Sequence, residues 1–317
     1  MIVADLDAET LARTRFAISP LSDLVSWLRL AVAGRRHPLY GDPGPAARLA
    51  LRRPDLAVLT ELIPATGLGY VPDLLTPKPP KGRANHVAEQ LELVAATPDG
   101  LLDRQLTERY GKAPLPRRVA AALDSGRLTA AAAAGLASFW RATLADGWPR
   151  LRAGLDADLA ARARSMATHG IGVTLASLHR SVRWNGCELR IEKPYQRHSP
   201  LIGTELVLSP SALAWPEVRS QLCDPDDAVL GYPAVPAPER LPPDPVNALV
   251  GTTRATLLRD LGVARSTTTL STRHRLAPAT VSYHLRILRE AGLVTATRDR
   301  RLMLYQRTIQ ADTLLDG

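Results

Sequence analysis

Residues 267–307 read TTTLSTRHRLAPATVSYHLRILREAGLVTATRDRRLMLYQR, and this stretch decides the fold of the C-terminal part of the chain. Its pattern predicts a helix, a tight turn, a second helix and a two-stranded hairpin. Pro278 suits the first turn of the second helix, where a backbone N–H would have no partner anyway. Val281, Leu285 and Leu288 recur at i, i+4 and i+7 and form one apolar stripe. This order of elements is a winged helix-turn-helix, whose second helix lies in the major groove of DNA.

The positive charge of the chain is concentrated around this stretch. Residues 251–310 hold eleven arginines and three acidic residues, a net charge of +8, whereas the whole chain carries +9. The other 257 residues hold 29 basic and 28 acidic side chains and are almost balanced. A small basic segment in an otherwise neutral chain is typical of a surface that binds the phosphates of nucleic acid.

The predicted DNA contacts lie in the motif and at the tip of its hairpin. Small hydroxyl groups hydrogen-bond phosphates or base edges, and an arginine pairs well with the guanine edge. Gly292 is expected to end the second helix in the left-handed conformation. Residues 299–301 are expected to form the polar turn of the hairpin, whose basic tip lies over the DNA backbone or minor groove. The predicted contacts are Thr267, Thr268, Thr280, Ser282, Tyr283, His284, Arg286, Arg298, Arg300 and Arg301.

Residues 279–294, ATVSYHLRILREAGLV, resemble the recognition-helix signature of ArsR-type winged-helix repressors, S-T-V-S-x-H-L-x-x-L-x-x-A-G-L-V. The resemblance covers residues 245–310, about a fifth of the chain. It implies that the DNA-facing positions are Thr280, Ser282, Tyr283 and Arg286. His284 stands where the family frequently has a histidine, which packs against the protein as often as it contacts DNA.

Two departures from the family pattern bear on function. The turn between the helices reads HRLA at 274–277, where relatives usually have Leu-Gly, so Arg275 must enter a turn that glycine enters without steric cost. This is expected to shift the angle between the two helices. Metal-sensing members carry a Cys-x-Cys pair on the first helix of the motif, and this helix has no cysteine. A thiolate metal sensor is therefore disfavoured, and we predict no metal site and no cofactor.

The N-terminal part is predicted to be mainly helical. Asn185 and Gly186 then give the strongest hairpin-turn signal in the chain. Further strands are expected at 205–213 and 227–235, with a strand at 11–18 as a candidate to join them. The fold class is therefore mainly α with small β elements: a helical N-terminal domain ending in a small sheet, plus a C-terminal winged helix-turn-helix. Helices are predicted at 20–33, 45–53, 55–63, 85–97, 99–110, 116–124, 128–145 and 147–168.

The predicted domains are a regulatory or dimerisation domain at 1–232, a linker at 233–245 and a DNA-binding domain at 246–317. The linker, PAVPAPERLPPDP, has six prolines in thirteen residues and is typical of a semi-rigid spacer. The N-terminal part resembles a poorly characterised domain that precedes ArsR-like winged helices in actinobacterial regulators. The resemblance rests on the segments SPLSDLVSWLRLAV, GYVPDLLTP and VLGYPA, and it does not imply what the domain senses.

The oligomer expected from the resemblance is a homodimer. A helix is predicted at 245–261, and in ArsR-like proteins the equivalent helix helps to build a two-fold dimer. The sequence after the wing, TIQADTLLDG, is shorter than the second dimer helix that relatives often have. We therefore expect the N-terminal domain to supply much of the dimer interface.

The sequence predicts a cytoplasmic, nucleoid-associated protein with no membrane segment. Its apolar runs are too short to cross a bilayer, and the first ten residues are acidic and do not resemble a signal peptide. Cys187 and Cys223 lie far apart in sequence and are interpreted as reduced thiols.

The predicted function is that of a non-enzymatic transcriptional regulator, a repressor, that binds an inverted-repeat operator in double-stranded DNA. An unknown small-molecule effector or partner at the N-terminal domain would gate it. Two alternatives stay open: a methyltransferase-like enzyme that uses the winged helix for dimerisation, and a constitutive nucleoid-type DNA-binding protein. The sequence shows no Ser/His/Asp, phosphate-loop or paired-carboxylate constellation, and a glycine-rich cofactor loop is missing as well.

Overall fold

The computed structural model divides the chain into two compact units, Met1–Ala237 and Pro238–Gly317. Most of the predicted linker, residues 235–244, lies outside the described part of the chain. The fold class is confirmed, since helices dominate and the strands form small sheets. Within the described residues, every helix is too short or too polar to cross a membrane. The structure describes residues 1–67, 69–82, 86–214, 216–234, 245–299 and 302–316.

The first unit is built around the alanine-rich helix α8, which packs against its neighbours α2–α5 and α7. Gly135 of α8 permits this close packing, because a Cβ there would lie 3.1 Å from the Cβ of Leu59. The last helix, α9, extends beyond the predicted 147–168 and is interrupted at Gly170, where φ is 82°. The helices are α1 Ala8–Arg13, α2 Pro20–Val32, α3 Gly44–Ala50, α4 Ala57–Leu62, α5 Val87–Ala95, α6 Asp99–Tyr110, α7 Arg117–Asp124, α8 Leu128–Thr143 and α9 Trp148–Ala176.

The β part of the first unit consists of two four-stranded sheets, ordered β3-β4-β1-β5 and β2-β6-β8-β7. Apolar side chains from both sheets share one buried cluster, together with Leu175 and Leu178 from the end of α9 and the residues after it. The strands are β1 Ile2–Leu6, β2 Arg15–Phe16, β3 Val182–Trp184, β4 Glu188–Ile191, β5 Arg197–Leu201, β6 Val207–Ser211, β7 Arg219–Gln221 and β8 Val229–Pro233.

The predicted strand at 11–18 is wrong over its first part. Asp7 caps a helix there, because its carboxylate accepts a hydrogen bond of 2.8 Å from the N–H of Thr10. The helix α1 therefore runs through Arg13, and only the two residues of β2 pair with β6. The strand β1 was not predicted; it pairs antiparallel with β4 and parallel with β5, about 190 residues away.

The second unit confirms the winged helix. Its core contains the predicted apolar stripe of Val281, Leu285 and Leu288, each at most 1% exposed. A three-stranded sheet ordered β10-β11-β9 forms the wing and connects it to the helices. The elements are α10 Pro245–Val250, α11 Thr252–Asp260, β9 Arg265–Ser266, α12 Thr267–His274, α13 Pro278–Glu290, β10 Val294–Asp299, β11 Leu302–Arg307 and α14 Ile309–Asp316.

One expectation for this unit is corrected, and the segment after the wing has a structural role. The predicted helix at 245–261 is broken at Gly251, whose φ of 86° is incompatible with a continuous helix. The segment after the wing forms α14, whose Ala311 is fully buried in the core of the unit. Thr308 stabilises the start of α14, since its hydroxyl accepts a hydrogen bond of 3.3 Å from the N–H of Ala311. The segment that follows the wing is therefore part of the domain core.

Candidate nucleic-acid interface

The first helix of the motif, α12, is fixed at both ends. At its start, the Ser266 hydroxyl accepts a hydrogen bond of 3.2 Å from the N–H of Thr269. At its end, Arg275 takes the left-handed conformation, with φ 53° and ψ 40°. It is the one non-glycine residue among those described with positive φ. Arg275 thus enters a conformation that glycine would enter without steric cost, at a cost on the order of 1 kcal/mol.

The second helix, α13, divides cleanly into a buried and an exposed side. The apolar stripe faces the core, while Ser282, Tyr283 and Arg286 are exposed and Thr280 is half-buried. Ser282, Tyr283 and Arg286 fall on neighbouring turns, so they form one continuous patch. We call these three residues the α13 face. The structure therefore brings together the predicted contacts on this helix that can reach an external ligand.

Side chains of the α13 face also contact one another. The Arg286 guanidinium carbon lies 5.8 Å from the centre of the Tyr283 ring, within the range of a cation–π contact. Arg286 is also 4.0 Å from the carboxylate of Glu290, one turn further along the helix. Both side chains of this ion pair are more than half exposed, so the pair is weak and a nucleic acid could displace it.

His284 borders the α13 face, since the centre of its ring lies 5.4 Å from that of the Tyr283 ring. It is half-buried, and its Nδ1 atom is buried without a hydrogen-bond partner among the described residues. Burial lowers the pKa of His284, and the charge of Arg254 lowers it further. This environment favours a neutral His284 ring that packs inside the domain. A contact of His284 with DNA stays a prediction.

The remaining predicted contacts are distributed over α12 and the wing. Thr267 is half-buried and Thr268 exposed, both at the start of α12. Arg298 is exposed on β10, opposite Met303 of β11. Arg300 and Arg301, predicted at the tip of the wing, lie outside the described residues. The structure thus leaves the contacts of the wing tip as a prediction.

A cluster of charged side chains that the sequence analysis did not predict connects α11 and α12, and its centre is an acid. Asp260 at the end of α11 receives three basic side chains: Arg265 at 3.1 Å, Arg273 at 3.0 Å and His274 at 2.9 Å. Its carboxylate is only 10% exposed. Arg307 similarly pairs with Asp312 of α14. Part of the +8 charge therefore holds the domain together, which a count of charges along the sequence does not reveal.

Comparison with known proteins identifies the same part of the chain. Residues 252–296, from α11 into β10, match the family described as Helix-turn-helix domain. None of the curated proteins matches the chain.

Two solved structures are similar over a limited region. One is an apo-form mutant of Lactococcus lactis ZitR, with 21% identity and a TM-score of 0.21; the similarity covers 23% of this chain and 58% of ZitR. The other is described as a "Possible transcriptional regulator for arsenical resistance", with 29% identity and a TM-score of 0.19. The similarity covers 23% of this chain and 74% of that chain. The chain thus spans little more than half the length of ZitR. The family match itself assigns residues 252–296 to the helix-turn-helix domains.

Proposed function

We propose that this protein is a DNA-binding transcriptional regulator of the ArsR-like winged-helix type, acting as a repressor. The observation that carries the proposal is the α13 face. It presents a hydroxyl, a phenol and a guanidinium side by side on the second helix of a helix-turn-helix domain. This helix is the one that enters the major groove in such domains. The proposed role places the protein in the cytoplasm, on the nucleoid.

In the proposed complex, Arg286 reads a guanine and the hydroxyls of Ser282 and Thr280 contact base edges or phosphates. Arg298 contacts the DNA backbone from the wing. A homodimer would present two such helices to an inverted repeat with half-sites about one helical turn apart. The first unit would supply much of the dimer interface and the site of an effector, and the protein would have no enzymatic activity.

The proposal is tested by fluorescence anisotropy of the full-length protein on its own upstream DNA and on a scrambled duplex of equal length. We expect tight binding to the upstream DNA that weakens steeply with salt, because each neutralised phosphate releases counterions. Arg286→Ala should weaken this binding. Arg164→Ala, which removes an exposed arginine from α9 in the first unit, is the matched control.

The two alternatives predict different results. Equal affinity for the upstream and the scrambled duplex would indicate a constitutive nucleoid-type protein. Absence of DNA binding at every salt concentration would indicate a winged helix used for assembly, as in the enzyme alternative.

A further inference from the structure

A cavity of about 770 Å³ lies within the first unit, between α2 and the two small sheets. Its wall is assembled from α2, the segment at 69–79, the connection between β4 and β5, and the strands β7 and β8, with Ile2 of β1 and Glu108 of α6. Cavities of this size hold small organic molecules. The cavity belongs to neither the winged helix nor the α13 face.

Arg219 of β7 is the unusual group in this cavity. It is half-buried, and its Nε is fully buried without a hydrogen-bond partner. Among the described residues its side chain forms no ion pair within 4.0 Å and no hydrogen bond. Its stem lies across Gly231 of β8, where an added Cβ would come within 3.1 Å of the Cβ of Arg219. Gly231 therefore provides the space in which this arginine lies.

Two further cations line the same end of the cavity. Arg29 of α2 donates two hydrogen bonds to the carbonyl of Gly67, at 3.1 Å and 2.6 Å. Lys193 donates one hydrogen bond of 2.7 Å to the carbonyl of Val218. These partners are uncharged, so they leave both positive charges without an ionic partner. We call Arg29, Lys193 and Arg219 the basic triad.

The charges of the basic triad act on one another. Burial lowers the pKa of Arg29 to about 9, and the next largest cause is the charge of Arg219. Burial also lowers the pKa of Lys193, and Arg219 adds to the effect. The acid that offsets these charges is Glu217, which is exposed. The folded chain therefore holds three half-buried cations against mutual repulsion.

Three other acids in the wall of the cavity are already engaged. Glu108 pairs with Arg197. Asp73 accepts a hydrogen bond of 3.1 Å from Tyr70, and burial raises its pKa to about 7. Glu192, the remaining acid in the wall, is exposed and lies 3.5 Å from Arg183 outside the cavity. With these acids engaged, the exposed Glu217 is the acid in the wall that partly offsets the basic triad, and among the described residues none of the three cations forms an ion pair within 4.0 Å.

We propose that the cavity of the first unit binds a small organic anion, whose carboxylate, sulfonate or phosphate group is held by the basic triad with Arg219 as its main partner. An arginine presents N–H groups in a fork that matches two anionic oxygens, and such charge-assisted hydrogen bonds are among the strongest in proteins. The side chains of Val25 and Val229, which also line the cavity, provide apolar surface for the body of the ligand.

The test uses 8-anilinonaphthalene-1-sulfonate, an aromatic sulfonate whose fluorescence rises on binding, and full-length protein without DNA. Phenyl phosphate serves as a competitor. Arg219→Met keeps an unbranched, flexible side chain and removes its charge. Arg164→Met makes the same change at an exposed position of α9 and is the control. We expect the Kd of the probe to rise at least ten-fold in Arg219→Met and to stay within two-fold in Arg164→Met. Phenyl phosphate should displace the probe from the wild-type protein.

A stability measurement separates a binding role of Arg219 from a structural one. Without ligand, Arg219→Met should melt at the wild-type temperature or above it, because a half-buried charge without an ionic partner is removed. If Arg219→Met does not fold, Lys193→Met replaces it in the binding test, and the Kd of the probe should again rise at least ten-fold. Unchanged affinity of the probe in the variant that folds, or failure of phenyl phosphate to compete, would overturn the proposal.

The role of the bound anion as an effector of DNA binding rests on the proposed function. The probe assay contains no DNA, so its result does not depend on DNA binding. The protein can bind the probe without binding DNA, and it can bind DNA without binding the probe. If phenyl phosphate binds in the cavity and leaves the anisotropy on upstream DNA unchanged, the anion site stands and its role in gating is refuted. A ligand shifts DNA affinity only if it binds one conformation of the protein more tightly than the other.

Discussion

Asp23 makes the stability of the first unit dependent on pH. It lies in the first turn of α2 and is fully buried. Its Oδ1 accepts hydrogen bonds of 2.7 Å from the Ser211 hydroxyl and 2.7 Å from the N–H of Leu213, while Oδ2 has no partner among the described residues. Burial raises the pKa of this carboxyl from 3.8 to about 6. The folded unit therefore favours the protonated acid.

The magnitude and sign follow from the two pKa values. A folded-state pKa that is higher than the unfolded one means that the folded state binds the proton more tightly between pH 4 and 6. The free energy of unfolding therefore falls as pH rises through this window, by about 3 kcal/mol for a shift of about two units. Above pH 7 the folded unit carries the whole cost of burying the charged Asp23 carboxylate. Asp23→Asn keeps an acceptor for both donors and has no charge to bury.

We expect Asp23→Asn to be more stable than the wild type at pH 8, by about 1–2 kcal/mol after the cost of burying an unpaired amide N–H is subtracted. This advantage should shrink and vanish by pH 5. Urea unfolding followed by tryptophan fluorescence measures it selectively, because all five tryptophans lie in the first unit. Asp103→Asn changes an exposed acid of α6 and is the control. A difference between Asp23→Asn and wild type that does not change with pH would refute the reasoning.

Three further predictions concern the second unit. Arg286→Ala should cost about 1–3 kcal/mol at one base position of the operator, measured by anisotropy on single-base variants; an equal loss on every sequence would make Arg286 a phosphate contact. Arg275→Gly should slow hydrogen exchange in α12 about five-fold, because about 1 kcal/mol of left-handed strain is removed; faster exchange would show that the arginine side chain is needed there. Asp260→Asn should speed exchange in α11 and α12, since three basic groups lose their partner, at a cost of about 2 kcal/mol. Glu290→Gln, which affects a weak exposed pair, should leave exchange unchanged and is the control for Asp260→Asn.

The parts of the fold that depend on local signals could be predicted from the sequence. The apolar stripe of α13 follows from its spacing, and the hairpin between β3 and β4 follows from Asn185 and Gly186. The strained turn at Arg275 could also be anticipated, since the resemblance to the ArsR-type pattern implies glycine in this turn and the sequence has a residue with a Cβ. In each case the deciding residues lie within a few positions of one another.

The rest depends on contacts between distant segments. Asp260 meets His274 only after α12 has folded back on α11, so the spacing of the two residues in sequence does not reveal the contact. Arg219 belongs to a three-residue strand too short to show a period, and the basic triad comes from three segments more than 20 residues apart. The division of the α13 face from the buried stripe could be predicted, whereas the cavity could not.

The central position of β1 in its sheet also determines how late this strand can pair during synthesis of the polypeptide. Residues 2–6 are synthesised about 190 residues before their partners in β4 and β5. At 5–20 residues per second, this delay is roughly 10–40 s. During that time β1 has both edges unpaired, and an apolar strand with open edges is what chaperones bind and what aggregates. The second unit has its strand pairs within about 40 residues of one another and has no such delay.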